Sequence, residues 1–90
     1  MTLNTTFLLL AQYDGKAVIP LEDVRRDFFS HLTLHKLVRK LSSGDIALPL
    51  MRMEHSQKCA KGVHWQDLAD YLDKRRQAAA KELSQMSGWS

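Results

Sequence analysis

Two short amphipathic stretches separated by a few residues set the strongest limit on this fold. Leu21, Val24, Phe28 and Phe29 give the apolar spacing of a helix over about residues 21–29. Leu34, Leu37, Val38 and Leu41 recur at i, i+3, i+4 and i+7 and predict a second helix over 34–42 with one buried face. Pro20 opens the first helix, because its missing N–H would have no partner there, and Glu22 and Asp23 suit the positive end of the helix dipole. Thr33 is an N-cap for the second, and Gly44 stands near the C′ position that favours a left-handed residue. "SHL" at 30–32 leaves room only for a tight connection, so the pair reads as a helix-turn-helix.

The flanking segments extend this unit. "AVI" at 17–19 reads as a short strand. "LPLMRME" at 48–54 reads as another, with Pro49 placing it at an edge or at its start. "HSQKCAKG" at 55–62 is polar, and "VHW" at 63–65 reads as the returning strand, so the pair forms a β-hairpin with a long basic tip, a wing over about 54–62. Residues 5–13, "TTFLLLAQY", are apolar on nearly every side and read as a helix ended by Asp14-Gly15, with a strand as the alternative for so short a run. From Gln66 to about Met86 the pattern is helical, with Leu68, Leu72, Ala79, Leu83 and Met86 on one stripe. That helix would be roughly 30 Å long, more than a core of this size needs. The expected fold is mainly α with a small β-hairpin: one DNA-binding domain over 1–90, with a winged helix-turn-helix at about 17–73.

The chain has 90 residues, enough for one core, and 44% hydrophobic with 26% charged residues places it among ordinary globular chains. Its net charge of +3 is unevenly distributed. Residues 1–30 hold three basic and four acidic side chains, residues 31–64 six basic and two acidic, and residues 65–90 four of each. The positive excess therefore sits in the second helix and the wing, where a phosphate-binding surface is expected. Thr33, His35, Lys36, Arg39 and Lys40 are the candidates on the second helix, which would lie in the major groove. Arg52, Ser56, Gln57, Lys58 and Lys61 are the candidates on the wing, facing phosphates. The cluster Lys74, Arg75 and Arg76 reads as a solvated face balanced by Asp70 and Asp73, with a phosphate-binding role as the alternative.

Several classes of function are disfavoured. The sequence contains no Gly-rich phosphate loop, no nucleophile motif and no paired carboxylates with a credible pocket, so no enzyme and no cofactor are expected. His31 and His35 lie four apart and Cys59 and His64 five apart, which invites a metal site, but His31 precedes the helix and no Cys-x-x-Cys supports it, so no metal is expected. The longest apolar run, "FLLLA", is too short for a membrane span, "MTLNTT" has no signal-peptide charge, and the single Cys59 cannot form an internal disulfide, so a cytoplasmic protein is expected. The apolar N-terminal segment and the overlong last helix predict a homodimer interface through Phe7, Leu10, Ala79, Leu83 and Met86. The rival readings are a protein-interaction module without specific DNA binding and an architectural, excisionase-like protein that bends DNA.

"LTLHKLVRKLSSGDIALPLMRM" followed by "VHWQDLADYL" resembles the compact winged-helix domains of phage excisionases and AlpA-like regulators, over about residues 17–73. A longer resemblance, carried by "AQYDGKAVIPLEDV", "DFFSHLT" and "SQKCAKGVHWQDLADYLD", is to the pyocin activator protein family. It implies a transcription activator that binds a promoter element upstream of bacteriocin genes, with double-stranded DNA as partner and RNA polymerase as a candidate second one. The residue-level DNA contacts given above come from the chain itself, not from the family.

Overall fold

A computed structural model gives the architecture and describes residues 5–56 and 59–87. Its elements are α1 (Thr5–Gln12), β1 (Val18–Pro20), α2 (Leu21–Phe28), α3 (Leu34–Ser43), β2 (Met51–Arg52), β3 (Lys61–His64) and α4 (Trp65–Ser87). The structure is mainly helical, with a small antiparallel sheet of three strands in the order β1-β3-β2 and a long C-terminal helix.

The helix-turn-helix forms where the apolar spacing puts it. Pro20 ends β1 and caps α2 from an extended backbone (φ −55°, ψ 139°), so Leu21 rather than Pro20 is the first helical residue. Arg25 then fixes the turn: its guanidinium holds Glu22 at 2.6 Å and also donates to the Leu32 carbonyl at 3.2 Å. The Thr33 hydroxyl accepts the Lys36 backbone N–H at 3.2 Å and caps α3. Gly44 closes α3 with φ 85°, and the Ile46 N–H returns to the Lys40 carbonyl at 3.2 Å. Leu37 and Leu41 face inward and Val38 is half-buried, but Leu34 is exposed. It opens the helix, and the first turn stands clear of the neighbours that cover the rest of that face.

The N-terminal run is a helix, not a strand. It stops where Asp14 (φ 55°) and Gly15 (φ 73°) enter the left-handed region, which Gly adopts without steric cost. Tyr13, buried at the end of α1, donates its hydroxyl to Asp27 of α2. Burial, and then this bond to a carboxylate, push the phenol's pKa up. At the start of α1 the Thr5 hydroxyl donates to Asp73 of α4 at 2.6 Å.

Two strand boundaries differ from the expected ones. Only Met51 and Arg52 of the segment 48–54 pair as strand, because Pro49 has no N–H to offer a ladder and Leu48 turns into the core instead. The returning strand is 61–64 rather than 63–65, and Trp65 already belongs to α4. β3 is central: Val18 pairs with His64, Ile19 with Val63 and Pro20 with Gly62 on one side, while Met51 pairs with Gly62 and Arg52 with Lys61 on the other. Pro20 lies at the end of an outer strand, where its missing donor is tolerated. The core collects Leu9, Ile19, Val24, Leu37, Leu48, Val63 and Leu68 from both sheet and helices, and Ile19, Val24, Leu37, Val63 and Leu68 are fully enclosed. Each such side chain contributes about 1.5–3 kcal/mol on leaving water.

Gly62 lets β1 lie close against β3. A Cβ there would stand 2.6 Å from the Ile19 carbonyl oxygen and 2.6 Å from Val18 Cγ1. The backbone oxygen cannot move without breaking the register. Gly62→Ala is expected to lower stability by about 1–3 kcal/mol, the cost of overpacking a fitted interior. A urea denaturation midpoint equal to that of the unsubstituted protein would contradict this packing.

Candidate nucleic-acid interface

The outward side of α3 is defined by what its inward side buries. With Leu37 and Leu41 in the core, Lys36, Arg39 and Ser43 fall on the opposite face at helical spacing, with the half-buried Lys40 beside them. Together with Leu32 and Asp45 they line a shallow cavity of about 480 Å³. His35 is exposed on the same helix. Thr33 is exposed too, but its hydroxyl is engaged in the cap, so its role is to set where α3 starts.

The wing stands next to this face. The β2–β3 ladder continues outward through the Met53 N–H to the Ala60 carbonyl (3.0 Å), and the Cys59 N–H closes on the Ser56 carbonyl (3.2 Å). Arg52 reaches from β2 to α3, where its Nη2 donates to the Ser42 hydroxyl at 3.2 Å. Lys61 is half-buried and its ammonium donates to the Cys59 carbonyl at 3.4 Å. Ser56 is exposed at the tip. Gln57 and Lys58, the other two wing candidates, lie outside the described residues. The structure thus brings Lys36, Arg39, Lys40 and Arg52 around one region, and a guanidinium–hydroxyl contact that sequence spacing could not reveal joins helix to wing.

The cations of the two short helices differ in their surroundings. In α2, Arg25 pairs with Glu22 and Arg26 with Asp23 (3.2 Å) and Asp27 (3.0 Å). Arg25 holds the Glu22 carboxyl below its usual range, and Arg26, aided by the Tyr13 hydroxyl, does the same to Asp27. In α3, Lys36, Arg39 and Lys40 make no ion pair among the described residues. A helix whose cations are neutralised by its own carboxylates offers little to an anion, whereas one whose cations face solvent attracts phosphate.

A family model described as Pyocin activator protein PrtN matches residues 5–79. The chain belongs to this family. Membership points to a role in activating pyocin genes. The match runs from the first turn of α1 through the helix-turn-helix and the hairpin into α4, so the cationic face of α3 lies within it. The chain matches no curated protein and no solved structure. Among the described residues, no group of His, Cys, Asp and Glu side chains could hold a metal ion, and no helix is long and apolar enough to cross a membrane.

The cap gives a direct check on how α3 is placed. Thr33→Ala should cost about 1 kcal/mol of stability, while Thr33→Ser, which keeps the hydroxyl, should cost less. Equal thermal midpoints for the two variants would show that the hydroxyl does not cap α3.

Proposed function

We propose that this protein activates pyocin-type bacteriocin genes by binding a promoter element in duplex DNA, with α3 in the major groove and the wing along the phosphate backbone. The observation that carries this reading is that Lys36, Arg39 and the half-buried Lys40 form no ion pair among the described residues, set beside the paired cations of α2. Family membership supports the activator role, and the helix-turn-helix followed by a β-hairpin supports the docking geometry. In this reading Arg39 is the base-reading residue, because only a guanidinium fork matches guanine O6 and N7. Arg52 and Lys61 hold phosphates. An activator seated at a promoter element also stands beside RNA polymerase, its second partner.

The test is binding to a labelled duplex from upstream of the pyocin genes and to a scrambled duplex, over a salt series. Arg39→Ala should cost about 1–3 kcal/mol on the specific site and relax the preference at one base position. A folded variant with unchanged affinity and preference would remove Arg39 from the interface. An unsubstituted protein that retains no duplex at low salt would favour a protein-interaction module instead.

The reading includes a homodimer. α1 turns Leu9 and Tyr13 inward, but Phe7 and Leu8 stay 67% and 52% exposed. Leu10 is half-buried within the chain, so Leu8 takes the outward place expected of it. Along α4, Ala79 is exposed, Leu83 is 66% exposed and Met86 73% exposed, beyond the part that packs on the core. A two-fold pairing of these apolar surfaces would set two recognition helices on half-sites about one DNA turn, ~34 Å, apart. Sedimentation at micromolar concentration should then give a mass near twice 10.3 kDa that falls to one chain in Leu83→Glu. A monomer whose DNA affinity is untouched by Leu83→Glu would defeat the dimer.

A further inference from the structure

The connection that follows α3 runs beside α4. Asp45 in this connection borders the α3 cavity that holds Lys36, Arg39 and Lys40. It also borders a second, smaller hollow of about 220 Å³, whose other walls are Ala47, Tyr71, Lys74 and Arg75. Because one residue lines both, the two hollows are neighbours. Cations from two helices far apart in sequence therefore flank a single carboxylate.

The carboxylates expected to balance the α4 cluster are engaged elsewhere. Asp70 accepts from the Gln66 amide at 3.3 Å, and Asp73 accepts the Thr5 hydroxyl at 2.6 Å. Among the described residues neither forms an ion pair with Lys74 or Arg75, both of which are exposed. Lys74 and Arg75 thus share the electrostatic state of the α3 cations and differ from those of α2.

We infer that Lys74 and Arg75 form a second anchor for the DNA backbone, holding phosphates that flank the bases facing α3. The inference rests on the duplex-binding reading above and extends its footprint from α3 and the wing onto α4. Phosphate contacts of this kind add affinity and fix register without reading sequence. Asp45, between the two cationic groups, repels the same phosphates and keeps the combined strip from binding any duplex too tightly. Arg76, the next residue on the helix, lines neither hollow and takes no part.

The experiment compares Lys74→Gln/Arg75→Gln, Arg76→Gln, Asp45→Asn and the unsubstituted protein on the labelled pyocin-upstream duplex and on its scrambled counterpart, across a salt series, with circular dichroism as the folding control. The double variant is expected to flatten the slope of log affinity against log salt by about two units and to weaken both duplexes alike. Arg76→Gln is expected to leave the slope unchanged, and Asp45→Asn to strengthen both duplexes. A folded double variant with the original slope, or one that changes only the preference between duplexes, overturns the anchor while leaving duplex binding in place. A loss of about one unit in Arg76→Gln, half that of the double variant, overturns it as well, since diffuse charge would then explain both. Weaker binding by Asp45→Asn overturns the role given to Asp45. An unsubstituted protein with no salt-dependent duplex binding overturns the duplex reading and this inference together.

Discussion

Four residues, Lys61 to His64, hold the fold together through the closeness with which β1 lies on them. β3 is the only strand with partners on both sides among the described residues. Its Val63 is fully enclosed opposite Ile19, and Gly62 offers no side chain where the Ile19 carbonyl approaches. On its outer side β3 carries the wing, and at its end the chain passes directly into α4. The Trp65 N–H still bonds to the Ala17 carbonyl at 3.1 Å, so the start of α4 is pinned to the segment leading into β1. Helix-turn-helix, wing and long helix all take their positions from this one contact between two strands more than 40 residues apart.

Charge is organised by the same frame. α2 and α3 are similar in length and both carry basic residues, but α2 also carries Glu22, Asp23 and Asp27 and forms its own ion pairs. Exposed pairs of this type contribute little to stability. Their effect here is to leave α2 nearly neutral. Arg25 additionally braces the α2–α3 turn through the Leu32 carbonyl, so its charge has an architectural task. α3 lacks acidic side chains, and its cations project from the side that the core leaves open.

The helices were legible because each element's local signals agree. Apolar spacing, the Thr33 cap and Gly44 all place α3 within a residue of its observed ends, and Asp14-Gly15 ends α1 at a left-handed turn. The sheet was harder to read. Gly is unfavourable in strand interiors, so Lys61-Gly62 reads as wing tip, whereas a close partner strand makes glycine necessary there. Leu48 lies in a strand-like sequence but serves the core from an irregular segment. At the candidate site, helical periodicity places Lys36, Arg39 and Lys40 on an open face. It could not show that Arg52 would meet Ser42, or that Asp73 would be held by Thr5 instead of the neighbouring Lys74. Those contacts depend on how distant segments meet, which no local pattern encodes.

The bond from Thr5 to Asp73 also sets a clock. It joins residues 68 positions apart, and β1 likewise waits for β3. On a ribosome adding ~5–20 residues per second, the apolar face of α1 stays uncovered for roughly 3–14 s before its partner helix is made. No early subset of the chain can close the core, because β1 has no neighbour until β3 emerges. The sheet therefore closes late, after the long loop between β1 and β3 has been brought together, whereas the contacts within and between the short helices are local. Until then the stretch "FLLLA", the longest apolar run of the sequence, lacks the helix it packs against in the folded chain.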